Sequence, residues 1–131
     1  MIDPLEKLVV SAVEIDRELL ATTLADLVQI DKDSGEIRLT RKSVTLSKKL
    51  QILTYFLARK AAKALSLVPD EPISPKELSS KLGIGGGPLR GQLAVFSKER
   101  LIASEKGKYW IPNYAIEQVK VLLEQARGKE K

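Results

Sequence analysis

The sequence predicts a mainly α domain with small β-hairpins, and three observations carry that reading. Asp, Ser and Pro stand in front of segments whose apolar residues recur every three or four positions, the spacing of one helix face. Short stretches alternate apolar and polar residues around glycine-containing turns, the spacing of strands. A chain of 131 residues with 44% apolar and 30% charged side chains can also bury one compact core.

The first helix opens at Asp3, with Pro4 at the first helical position and Glu6 closing a capping box. Leu5, Leu8, Val9, Ala12, Val13, Leu20, Leu24 and Leu27 then form one stripe, which predicts a helix to Ala25 or so. Val28-Gln29-Ile30 and Glu36-Ile37-Arg38-Leu39 flank the turn-rich Asp31 to Gly35, predicting a hairpin. Asp31 and Asp33 have the spacing that opens a calcium loop. An EF-hand needs glycine and glutamate where this chain has Glu36 and Lys42, so the turn reads as a plain one.

Ser47 caps the next helix, Lys48 to Leu65, with Leu50, Leu53, Leu57, Ala61 and Ala64 on one arc. Lys48, Lys49, Arg59, Lys60 and Lys63 share another arc, interrupted by Ile52 and Phe56. The expectation is an apolar waist covered by the N-terminal helix or hairpin, with two cationic clusters left exposed.

After the loop Ser66 to Ile73, Ser74-Pro75-Lys76-Glu77 is a second capping box, starting a short helix to Leu82 that Gly83 ends. Ile84 is expected to be the buried residue of a turn, with Gly85-Gly86-Gly87 freeing the backbone for a steep crossing. From Pro88 a helix runs to Arg100, with Leu89, Leu93 and Phe96 inward and Arg90, Gly91, Ala94, Val95 and Lys98 outward. Leu101 to Ser104 and Lys108 to Ile111 form a hairpin about Glu105-Lys106-Gly107. Asn113 caps a last amphipathic helix through Ile116, Val119, Leu122, Leu123 and Ala126.

Composition narrows the function. The chain has no cysteine and no histidine, which excludes disulfides, thiolate or imidazole metal sites, cysteine nucleophiles and histidine acid/base chemistry. No catalytic residue, metal or cofactor is expected. Gly86 to Gly91 has half of a P-loop pattern, but Gln92-Leu93 stands where Lys-Ser or Lys-Thr is required. The apolar runs are too short for a membrane span, and the N-terminus lacks a secretory pattern, so a cytoplasmic protein with no membrane partner is expected. Charge is uneven. Residues 1–35 hold eight anions and three cations (−5), whereas residues 36–63 hold eight cations and one anion (+7), an excess that suits a polyanion.

Residues 47–112, through Ser74-Pro75-Lys76-Glu77-Leu78, Gly83-Ile84, Leu93, Leu101-Ile102 and Lys106-Gly107-Lys108-Tyr109, resemble the winged helix-turn-helix domains of archaeal and bacterial transcription regulators. The resemblance implies a winged-helix core at 47–112, flanked by an N-terminal helix-and-hairpin extension at 1–46 and a C-terminal helix and charged tail at 113–131. It implies double-stranded DNA as the partner, with a recognition helix at 88–100 and a wing at 104–108. Arg90, Gln92 and Lys98 are then the expected readers, with Lys106, Lys108, Lys48 and Lys49 on the backbone. The alternative is a protein-interaction module in a larger assembly, with Ala94 and Val95 as an apolar contact. The terminal helices suggest a homodimer through Leu5, Leu8, Val9, Val13, Leu20, Val119, Leu122 and Leu123.

Overall fold

In the computed structural model the described residues are Leu5 and 17–128. The expected capping box at Asp3 to Glu6 and the stripe residues Leu8, Val9 and Val13 lie outside them. The fold is mainly helical with two small antiparallel hairpins, as the sequence predicts. Helix α1 (Arg17–Leu24) leads to the hairpin of β1 (Val28–Ile30) and β2 (Ile37–Leu39), in which Val28 pairs with Leu39 and Ile30 with Ile37. A single turn of helix, α2 (Arg41–Val44), precedes the long α3 (Lys48–Ala64). Then come α4 (Pro75–Leu82), α5 (Gly86–Lys98), the hairpin of β3 (Ala103–Glu105) and β4 (Lys108–Trp110), and α6 (Ile116–Gly128).

α3 is the axis of the core. Ile52, Leu53, Tyr55, Phe56, Leu57 and Ala58 are all buried, because α1 and the first hairpin cover one side while α4 and α6 cover others. Its buried polar groups are satisfied, as burial demands: Gln51 Nε2 donates to the carbonyls of Val44 and Leu46, and Thr54 Oγ1 to that of Leu50. Burying twelve large side chains such as Phe56, Phe96, Leu53 and Leu89 almost completely contributes roughly 1.5–3 kcal/mol each before chain entropy is subtracted.

Helix α1 and the first hairpin are docked on this core. Gly35 (φ 73°) is buried at the tip of the first hairpin, where a Cβ would run into the carbonyl oxygen of Leu67 and the side chain of Val68. Only glycine accepts both the left-handed backbone and that close approach. The α2 turn was not legible in the sequence, since four residues carry no periodicity; it is fixed by the fully buried Ser43, whose hydroxyl donates to the Leu27 carbonyl.

The α4–α5 unit follows from its caps. The Ser74 hydroxyl accepts from the Glu77 N–H, Pro75 sits in the first turn, and Gly83 (φ 66°) ends α4 in the left-handed conformation. Three details differ from expectation. α5 starts at Gly86, not Pro88, because a proline inside the first helical turn gives up an N–H that needs no intrahelical partner. Gly86 and Gly87 are therefore helical, and the change of direction falls on Gly83 and the buried Ile84. α5 ends at Lys98, with Arg100 left-handed (φ 61°) and the Leu101 N–H donating back to the Phe96 carbonyl. At the other end, Asn113 opens a single 3₁₀ turn, its Oδ1 accepts from Lys60 Nζ at 2.9 Å, and α6 proper starts at Ile116.

The second hairpin turns on Lys106 (φ 53°) and Gly107 (φ 77°), with Glu105 opposite Lys108. Two consecutive positive φ angles match the twist of the strands. One extended residue, Ile73, joins β4 by an antiparallel bridge to Tyr109.

Candidate nucleic-acid interface

α5 separates into two faces. Leu89, Leu93 and Phe96 are buried in the core, while Gly87, Arg90, Gly91, Ala94 and Lys98 are exposed. At ~100° per residue those five fall within one arc of about 100°, with Val95 at its edge. Gln92 is half-buried and lies toward the core side of this face, so the structure separates it from Arg90 and Lys98.

The glycines of this face have no role inside the fold. A Cβ at Gly86, Gly87 or Gly91 would meet nothing within 4 Å, and none of the three has positive φ. Gly86 and Gly87 lie in the first turn of α5, whereas Gly91 lies in its interior and costs the helix up to ~1 kcal/mol relative to alanine. The result is a flat strip of backbone alongside Arg90 and Lys98, open to close approach from outside.

In the second hairpin Lys106 and Lys108 are exposed at and beside the tip. Arg100, exposed in the connection between α5 and β3, is a further cation, one not among the expected readers and backbone contacts. Only its left-handed backbone sets it apart from the end of the helix, and nothing in the residue type signals that conformation.

The basic excess of α3 is divided differently from expectation. Lys48 Nζ donates to the Leu82 carbonyl at 3.3 Å, where a cation meets the C-terminal end of the α4 dipole. Lys49 is half-buried in a groove shared with Leu122 and Ala126 of α6. The two expected exposed clusters are corrected further by Arg59 and Lys60. Arg59 donates to the Asp70 carbonyl at 2.9 Å and to Glu77 at 3.5 Å. Lys60 is 4% exposed, with Nζ 2.8 Å from Glu71. These charges are used within the chain because the loop 66–73 folds back across α3; Lys63 remains exposed.

Three of the expected dimer contacts are also corrected. Leu20, Val119 and Leu123 are 3%, 0% and 1% exposed, because α1 packs against α6 and α3 within one chain. Leu5 is 67% exposed and Leu122 half-buried. Among the described residues no helix is long and apolar enough to cross a membrane.

The Asp31 carboxyl in the first hairpin is held below its ordinary value, mainly by the backbone N–H groups of Asp33 and Ser34 and further by Arg38. It is occupied by its own turn, as expected of a plain one. No family model, no curated protein and no solved structure matches the chain.

Proposed function

We propose that the chain is a winged-helix protein that binds double-stranded DNA, a transcription regulator of the cytoplasm without catalytic activity. Its α3, extended Ile73, α4, α5 and β3–β4 stand in the order of that fold, and the Ile73–Tyr109 bridge joins the first extended residue to the last strand of the wing. The observation that carries the DNA reading is the outward face of α5. Gly87, Gly91 and Ala94 form a flat strip alongside Arg90 and Lys98, and Gly91 weakens the helix interior without serving the core. A groove wall or phosphate backbone approaching closely accounts for residues that the fold itself does not need. Arg90 then reads base edges from the first turns of α5, and Lys106 and Lys108 meet phosphates. A homodimer belongs to this proposal only through residues still exposed, such as Val121 and Tyr114. The direct test is anisotropy of a labelled duplex titrated with protein. Saturable binding weakened by salt supports the reading, and no binding at low salt removes it.

The second reading, a protein-interaction module, rests on Val95, 47% exposed beside Ala94 on the same helix. Val95→Ser separates the two: it removes the apolar contact without adding a charge, and it leaves DNA affinity within a few fold if α5 lies on a duplex through its Arg90 face.

A further inference from the structure

A pocket of about 400 Å³ lies between the tip of the first hairpin and the α3–α4 pair, away from the outward face of α5. Its walls include Glu36 from the hairpin, Tyr55 and Arg59 from α3, and Glu77 and Lys81 one turn apart on α4. That volume lies within the range of small-molecule sites.

Two features distinguish it from an ordinary surface crevice. Tyr55 is 3% exposed as a residue and lines the pocket, and its hydroxyl is not among the buried, unsatisfied groups of the described residues, so it is reached by the pocket's solvent. Burial pushes its phenol up to about 12, with Glu77 and Glu36 raising it further and Arg59 lowering it, so the hydroxyl stays protonated as a donor. The ion pairs here are also loose. Arg59 to Glu77 is 3.5 Å and Lys81 to Glu36 is 4.0 Å, with the latter two side chains about half exposed, against 2.8 Å for the buried Lys60–Glu71 pair. Long, solvated pairs give up little when a ligand charge replaces one partner.

We propose that this pocket binds a small zwitterion of the free amino-acid class, its carboxylate taken by Arg59, Lys81 and the Tyr55 hydroxyl and its ammonium by Glu36 and Glu77. Charge balance selects that class. Two cations and two anions line the site, so a simple anion or cation leaves two walls of like sign beside it, whereas a zwitterion answers both signs. The occupant would tie the N-terminal hairpin to α4, the helix that abuts α5. The site does not depend on the DNA reading, because it is measured on the protein alone.

The experiment is a two-dimensional amide NMR screen of the full chain against the twenty free amino acids, acetate and inorganic phosphate. Concentrations of up to ~10 mM exceed the ~1 mM dissociation constants that a few hydrogen bonds supply. The expected result is saturable shifts at Gly35, Glu77 and Lys81 with at least one amino acid, weakened at least tenfold by its N-acetyl and methyl-ester forms. Tyr55→Phe should weaken binding about tenfold with an unchanged unfolding midpoint, since the hydroxyl it removes is reached by solvent in the free protein. Glu36→Gln, at an exposed position, should weaken it with the fold intact. The proposal is overturned if no amino acid shifts these amides, if acetate or phosphate shifts them as strongly, or if both variants bind as tightly as the parent.

Discussion

Ile73 and Tyr109 exchange two backbone hydrogen bonds, each 2.8 Å long, and through them the second hairpin is tied to the residue that enters α4. The Ile73 side chain is 1% exposed in the core, so one residue holds both the second hairpin and the helix pair. Ile73→Ala keeps the backbone pairing but opens a cavity, and should cost about 2–5 kcal/mol in denaturant unfolding. Hydrogen exchange should show the Ile73 and Tyr109 amides protected and the Lys106 and Gly107 amides at the turn fast. A cost below about 1 kcal/mol would mean that the Ile73 side chain is not held in the core, and a fast-exchanging Tyr109 amide that the bridge does not anchor the second hairpin.

Lys60, Glu71 and Asn113 hold the loop before α4 against the start of the C-terminal segment. Lys60 Nζ directs a hydrogen bond to Asn113 Oδ1 and faces Glu71 as a close ion pair, without an aligned hydrogen bond to the Glu71 Oε2 it approaches. Glu71→Gln leaves a 4%-exposed ammonium without its counter-charge and should destabilise the chain by about 3–5 kcal/mol. Lys60→Met with Glu71→Leu should recover most of that. Equal losses in the single and double variants would show that charge pairing is not the cause.

Asp31 gives a pH signature. Its carboxyl is depressed below the ordinary 3.8 by accepting from the Asp33 N–H at 2.7 Å and the Ser34 N–H at 3.3 Å, with Arg38 adding to the effect. A depressed carboxyl stabilises the folded state above its unfolded value, and that contribution is lost as pH falls through the folded one. The Asp33 and Ser34 amides should therefore titrate together with a midpoint under 3.8, and Asp31→Asn should abolish the transition. A midpoint at or above 3.8 contradicts the assignment.

Much of this was legible in the residues. Ser74-Pro75 and Gly83 bound α4 through local chemistry that no tertiary contact overrides, and Lys106-Gly107 fixed the second turn by its φ requirements. What escaped depends on distant partners. Helical spacing put Lys60 and Arg59 on a charged arc, but the loop that neutralises them returns from Asp70 and Glu71, and no periodicity encodes that return. Leu20 and Val119 were read as a stripe in excess of one core; only the packing of α1 on α6 shows where they go. Tyr55 had no sequence signal at all, because a hydroxyl that opens into a pocket is visible only once its surroundings are folded.

Gly91 offers a contrast between stability and function. Its absent side chain would meet open space, so Gly91→Ala should stabilise the fold by up to about 1 kcal/mol, read as a raised unfolding midpoint. If α5 lies closely on DNA, the same methyl should weaken duplex binding several fold. A variant that is more stable and binds equally well would remove the close-approach argument.

The central claim is that α5 reads a duplex while the second hairpin holds its backbone, and it is tested most directly by salt-dependent affinities of Arg90→Ala beside Lys106→Ala and Lys108→Ala. None of the three touches the core formed by Leu89, Leu93 and Phe96, so all should unfold close to the parent. Arg90→Ala should cost about 1–3 kcal/mol on a preferred sequence and reduce discrimination between duplexes. Each wing variant should weaken all duplexes alike and flatten the slope of log affinity against log salt by ~0.9. Parental affinity and slope in all three variants would contradict the account.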